Sequence, residues 1–273
     1  MTTATSKTTE ASNTTPWPIA VDETTFPDEL FCEYVLENIS GKDGDPTTLT
    51  QEEADAVTKI DISKCTWATF DPENGNDLAF DGVTVYDDMV YEGGCITSLK
   101  GIEYFANLTE LNASDNQLEE LDISHNSHLT HLNVNTNQLE SLDVSHNTQL
   151  TDLDAGSNSL EKLDVSNNTQ LTELCASSNV LTELDVSHNT QLTELDVYGN
   201  TLATLDVTHN THLTALDAGS NSLEKLDVSN NTQLTFLNVS DNQLTEIDLS
   251  NNEKLTDFNC DAGCKTVGGV MSK

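Results

Sequence analysis

Carboxylates and histidines are the side chains of this sequence best able to do chemistry, and they recur at a fixed spacing. Asp122, Asp143, Asp164, Asp185, Asp206, Asp227 and Asp248 stand 21 residues apart, each in an L/I-D-x-S/T run. Stacked in one column they repel one another. Raised pKa values, hydrogen bonds from the neighbouring Ser or Thr, or bound cations would each relieve that repulsion. Solvated carboxylates screened by salt are the plain reading, and calcium on the column is the sharper one. Single monodentate ligands seldom build a calcium cage. His125, His146, His188 and His209 share a second column, read as exposed turn histidines or as a paired-histidine metal site.

Two loops carry further candidate cation ligands. In Ser40–Ala54, SGKDGDPTTLTQEEA, they are Asp43, Asp45 and Glu53. Pro46 occupies the place where a calcium loop wants glycine, and the first aspartate is missing, so the segment reads equally as a helix connector. DPENGND offers Asp71 and Asp77. The six cysteines include no C-x-x-C pair and no zinc-ligand spacing. No phosphate loop and no paired catalytic carboxylates appear. Ser, His and Asp recur here as parts of a repeat rather than at catalytic spacings. The chain therefore reads as a non-enzyme, with calcium as the one candidate cofactor.

The element that positions these columns is a leucine period. Leu108, Leu129, Leu150, Leu171, Leu192, Leu213, Leu234 and Leu255 are 21 residues apart in the pattern L-T-x-L-x-x-x-x-N-x-L-x-x-L-D-x-S/T-x-N-x-x. This is a leucine-rich-repeat solenoid: a right-handed coil of parallel β-strands, with a small helical N-terminal cap. L-x-A and L-x-I are two period-2 runs per unit, which predicts two short strands in each 21-residue turn. Asn116 and Asn126 begin two asparagine ladders whose amides are expected to satisfy backbone groups left free at the bends. The segment DAGSNSLEKLDVSNNTQLT occurs at Asp154–Thr172 and again at Asp217–Thr235. Copying of this kind lengthens a surface and argues against a finely built active site.

Five segments follow. Residues 1–24 read as a disordered Thr/Ser-rich leader. Residues 25–58 form the helical cap, with one helix after Pro27 and a second capped by Thr50 and Glu53. Residues 59–95 hold the first partial coil, interrupted by an insertion at 66–94. Cys65 and Cys95 bracket that insertion, either bridged or as two buried thiols. Residues 96–264 form the solenoid, and 265–273 a C-terminal tail.

Specificity belongs where a copied unit varies. The first run of each unit presents outward Glu110, His131, Asp152, Glu173, Glu194, Asp196, Tyr198, Phe236 and Asn238. Aromatics among carboxylates suit contact with a protein or a glycan. The Thr columns beginning at Thr148 and Thr151 suggest an ice-binding array, but Gln149 and charged neighbours spoil the flat face. With a formal charge of −37 and ten lysines but no arginine, the chain repels nucleic acid and anionic membranes. No apolar run is long enough for membrane insertion.

The repeats resemble the 21-residue repeats of bacterial cell-surface proteins in which LTxLxxSxNxLTxLDVSxNTxL recurs. FPDELFCEYVLENIS…EEADAVTKIDIS…ITSLKGIEYFANLTEL resembles the cap of the same group, which is found mainly in Gram-positive bacteria. The resemblance covers about residues 25–260 and is broadly internalin-like. It implies a secreted or cell-surface binding or adhesion module for a protein or glycan on a host or bacterial surface. The alternative is a structural surface-layer or filament protein that self-associates, with cations assisting. The 66–94 insertion and the acidity without arginine depart from the group. No LPxTG-like sorting motif is visible, so the sequence reads as a secreted module or a fragment.

Overall fold

The computed structural model describes residues 17–63 and 95–268. Its N-terminal cap begins with β1 (Ile19–Ala20), which pairs antiparallel with β2 (Thr48–Leu49). Between them runs α1 (Glu29–Asn38). Asp28 caps it by accepting the Leu30 and Phe31 amides at 3.1 Å. Its second oxygen accepts the Thr97 amide at 2.7 Å, tying the cap to the first coil. Phe26, Phe31 and Val35 are fully buried, so the apolar face of α1 closes the open end of the core. The second helix, α2 (Gln51–Asp55), starts with the expected capping box between Thr50 and Glu53.

The leucine period winds into one parallel sheet. β3 (Lys59–Asp61) is followed by β4 (Glu110–Asn112), β5 (His131–Asn133), β6 (Asp152–Asp154) and β7 (Glu173–Cys175). Then come β8 (Glu194–Asp196), β9 (Ala215–Asp217) and β10 (Phe236–Asn238). β11 (Glu246–Asp248) and β13 (Lys265–Val267) make a separate parallel pair, and β12 (Asp257–Asn259) ends the main sheet. The nine strands lie in chain order from β3 to β12, all in the same register. The middle residue of each repeat strand from β4 to β10 points inward and is buried, while its neighbours are less covered except Asn238 of β10. Each repeat adds the same aliphatic set to one continuous core, and each fully buried Leu stabilises by about 2 kcal/mol.

Both asparagine ladders are present. Asn137 donates through Nδ2 to Ala113 O at 2.9 Å and Val134 O at 3.0 Å, and its Oδ1 accepts from Leu118 N at 3.0 Å. In the second ladder Asn189 donates to Val165 O at 3.0 Å and Asn168 O at 2.8 Å. The Oδ1 atoms of this second ladder have no hydrogen-bond partner. Two satisfied carbonyls per amide outweigh one orphaned oxygen.

Three boundaries differ from the sequence reading. Each repeat up to β10 has one strand, not two: among the described residues the L-D-x-S run becomes a strand only at β11. Its aspartate accepts the amide two residues on, as Asp143 Oδ1 does from Ser145 N at 2.9 Å; β11, whose Asp248 makes the same turn, is a strand because β13 lies beside it. Residues 17–24 belong to the cap rather than to a leader, because Ile19 and Val21 are buried and β1 pairs with β2. Likewise 265–267 is strand β13, held by β11, and not tail. Cys65, Asp71, Asp77, the 66–94 insertion and most of the leader lie outside the described residues.

Candidate binding face

In-register pairing lines up the first residues of the strands in one row: Lys59, Glu110, His131, Asp152, Glu173, Glu194, Ala215, Phe236 and Asp257. Neighbours are one strand step apart, about 4.8 Å. This face of the sheet forms a trough of about 740 Å³. Charge along the row is uneven. At one end Lys59 Nζ meets Glu110 Oε1 at 2.6 Å, and His131 Nε2 meets Asp152 Oδ2 at 3.0 Å. His131 Nδ1 lies 2.8 Å from Thr130 Oγ1, which fixes the ring. Among the described residues no cation pairs with Glu173 or Glu194. Desolvation, then the Asp152 and Glu194 carboxylates, push the Glu173 carboxyl upward.

A second row, two residues on along each strand, has a different job. Its members are Asn112, Asn133, Asp154, Cys175, Asp196, Asp217 and Asn238. All but Cys175 use Oδ1 to accept the amide two residues on, at 2.9–3.2 Å, closing each strand with an Asx turn. Asn238 also donates to Asp217 Oδ1 at 2.9 Å and is only 8% exposed. Asn238, expected to meet a partner, is therefore a structural residue. Asp196 is shared: burial pushes its carboxyl up, although it accepts the Tyr198 amide at 2.9 Å. Tyr198 lies beyond β8 and is 41% exposed. Its ring passes over Gly219, where a Cβ would come within 3.2 Å of Tyr198 Cδ2 and 2.6 Å of Asn238 Nδ2. Phe236 is half-buried at the far end of the trough.

Sequence reasoning thus gathers Glu110, His131, Asp152, Glu173, Glu194 and Phe236 correctly into one row, with Asp196 and Tyr198 beside it. It missed Lys59. Lys59 joins the row because KID of β3 pairs in register with ELN of β4.

The loop candidates for cations are otherwise occupied. Glu53 Oε1 accepts the Lys42 amide at 2.7 Å, and Oε2 accepts the Thr50 amide and hydroxyl, both at 2.9 Å. Asp45 Oδ1 accepts the Thr47 hydroxyl at 2.6 Å, and Asp43 Oδ1 accepts the Asp45 amide at 2.9 Å. The aspartate column is relieved by its own serines and threonines. Hydrogen bonds from the side chain and then the backbone of Ser145 lower Asp143, and Thr208 does the same for Asp206. Among the described residues no group of three His, Cys, Asp or Glu is placed to hold a metal. Cys95 is disulfide-bonded, whereas Cys32, Cys175, Cys260 and Cys264 are free thiols. No helix among the described residues is long and apolar enough to cross a membrane.

No family model and no curated protein matches this sequence. Solved structures do. The functional domain of InlJ from Listeria monocytogenes, described as including a cysteine ladder, is 32% identical with a TM-score of 0.64, over 93% of this chain and 54% of that one. Internalin C2 from the same organism is 20% identical with a TM-score of 0.72, over 89% of this chain and 97% of that one. The chain is an internalin-like leucine-rich-repeat protein. It spans about half the length of the InlJ domain it matches. Between Leu108 and Leu255 the internalin-like repeats here hold one cysteine, Cys175. The ectodomain of the Arabidopsis thaliana receptor kinase GASSHO1/SCHENGEN3, solved in complex with CASPARIAN STRIP INTEGRITY FACTOR 2, shares the fold at 23% identity and a TM-score of 0.55, over 60% of this chain and 22% of that one.

Proposed function

We propose that the chain is a secreted or cell-surface module that binds a protein through the sheet trough, without catalysis, and that the contact face of this partner is basic. One observation carries the reading: an open parallel sheet whose outward row holds, at its centre, two carboxylates with no paired cation among the described residues. Lys59 pairs with Glu110 and His131 contacts Asp152, which leaves Glu173 and Glu194 facing out in the centre. Tyr198 supplies an exposed aromatic beside them. The likeness to a receptor ectodomain solved with a bound partner supports a recognition role for such a solenoid.

The test is binding by the full chain and by charge-reversed variants. A partner recovered by cross-linking from surface extracts should bind with at least tenfold lower affinity to Glu173→Lys/Glu194→Lys, and less tightly as salt rises. Glu140→Lys, on another exposed face, should leave the affinity unchanged. Equal loss in both variants, or in neither, would remove the trough from the mechanism. A bound glycan, or self-association seen by light scattering in calcium, would instead support the other readings of the sequence.

A further inference from the structure

The C-terminal end of the solenoid is closed by a five-residue turn, 260–264, with a cysteine at each end. Cys260 directly follows β12, the last strand of the main sheet, and Cys264 directly precedes β13. The chain must therefore leave one sheet and enter another within this turn. The Cys264 amide donates to Asp261 O at 2.9 Å, which folds the turn back on itself. The turn brings the two thiols near enough for Cys260 to raise the Cys264 thiol. Both are half-buried against the end of the aliphatic core.

The same turn replaces a missing coil. Inside the solenoid the bend amides donate to carbonyls of the next repeat, as Asp115 N does to Asn135 O at 2.9 Å and Asn116 N to Thr136 O at 3.1 Å. At the last repeat no such carbonyl takes the amides of Asp241 and Asn242. They donate instead to Asp261 Oδ1 at 2.9 Å and Oδ2 at 3.1 Å. Asp261 is thus a side-chain cap for the last bend, and the cysteines flank it. Beyond the turn, Lys265 N donates to Thr245 O at 2.9 Å, and Lys265 Nζ meets Glu246 at 2.9 Å between exposed side chains. Few buried contacts hold this end, so a covalent link here acts on the part of the solenoid that frays first.

We propose that Cys260 and Cys264 are a disulfide-forming pair that staples the C-terminal cap when a small-molecule disulfide is present. One cysteine thiolate attacks the small disulfide, whose S–S bond breaks and releases one small thiol. The other cysteine attacks the protein sulfur of the mixed disulfide, the protein S–S bond forms, and the second small thiol leaves. Two protein thiols are oxidised, the small disulfide is reduced to two thiols, and the two protons pass to them. Burial, then Cys260 and the Asp261 and Glu246 carboxylates, hold the Cys264 thiol up at about 11. Exchange is therefore slow at neutral pH and speeds up as pH rises, because the thiolate is the nucleophile.

Peptide mapping tests this directly. The full chain is incubated at pH 8 with glutathione disulfide, alkylated, and cut after lysine. Cleavage at Lys254 and Lys265 releases both cysteines in one peptide, Leu255–Lys265. The expected peptide carries no alkyl group and is two hydrogens lighter than the reduced form, while Cys175 is alkylated. Two alkyl groups, or a glutathione on each cysteine, overturns the pairing. The stapling role is read separately by melting in the same oxidising buffer, where the bridge of Cys95 is common to all samples. The wild type should melt roughly 4–8 °C above Cys260→Ala/Cys264→Ala. The same melting temperature in both would overturn the staple.

Discussion

At the scale of single residues, carboxylates of one chemical type do opposite things according to depth. Asp196 sits in the second row, where burial raises its carboxyl. Asn occupies the equivalent place in β4, β5 and β10 and makes the same Asx turn. Asp196→Asn should therefore keep the turn and remove a charge that folding disfavours. The expected result is a melting temperature about 1–2 °C higher at pH 7, after allowance for solvent screening, with no gain below pH 3.8, the ordinary aspartate value. Thermal melts of the two proteins at both pH values check it. The asparagine ladder gives the opposite sign. Asn189→Ala removes the Nδ2 hydrogen bonds to Val165 O and Asn168 O, although each carbonyl keeps a backbone partner, Asn168 N at 3.0 Å and Leu171 N at 3.1 Å. A loss of about 1–3 kcal/mol in denaturant unfolding is expected from the two lost hydrogen bonds. A loss below half a kcal/mol would mean that water replaces the amide.

At the scale of elements, the repeat contains one strained joint. Asp115, Thr136, Ser157, Ser178, Ser220 and Asp241 all adopt positive φ at the same place in successive coils, and only Gly199 is a glycine there. Thr136, at φ 54°, is the worst placed, because its Cβ is branched. Thr136→Gly should stabilise the protein by about 1 kcal/mol, measured by denaturant midpoint at constant slope. Element boundaries were the least legible part of the sequence. The period-2 pattern L-D-V-S records which side chains face in, and it says nothing about whether a neighbouring backbone is free to pair. A partner strand settles that: Asp248 makes the same Asx turn as Asp143, yet β11 is a strand because β13 pairs with it. The same reasoning explains Asn238, which looked outward by alternation but is covered by its neighbours in the stack.

At the scale of the whole molecule, two sets of carboxylates divide the response to acid. Asp122, Asp143, Asp164, Asp185, Asp206 and Asp227 are lowered by their Ser or Thr, so they contribute stability above pH 3.8 and lose it as pH falls through their folded values. Glu173 and Asp196 are raised, so their cost at neutral pH is relieved as pH falls towards 4.5 and 3.8. A charge of −37 adds general repulsion that eases in the same direction. The melting temperature should rise modestly from pH 7 to about 4.5 and fall steeply below 3.8. A steady fall from pH 7 downward, followed by circular dichroism, would contradict this division.

The sequence by itself determined the solenoid, the inward leucines, both asparagine ladders and most of the outward row. Each of these follows from a 21-residue period that puts identical residues in identical places. Only the tertiary structure decided which carboxylates are paired and which are left open. Lys59 and Glu110 are far apart along the chain and meet because β3 pairs directly with β4. Charge balance, burial in the second row and the meeting of Cys260 with Cys264 depend on neighbours supplied by stacking and by the solenoid's end. A periodic sequence shows the repeat, but not what lies beside it when the repeat stops.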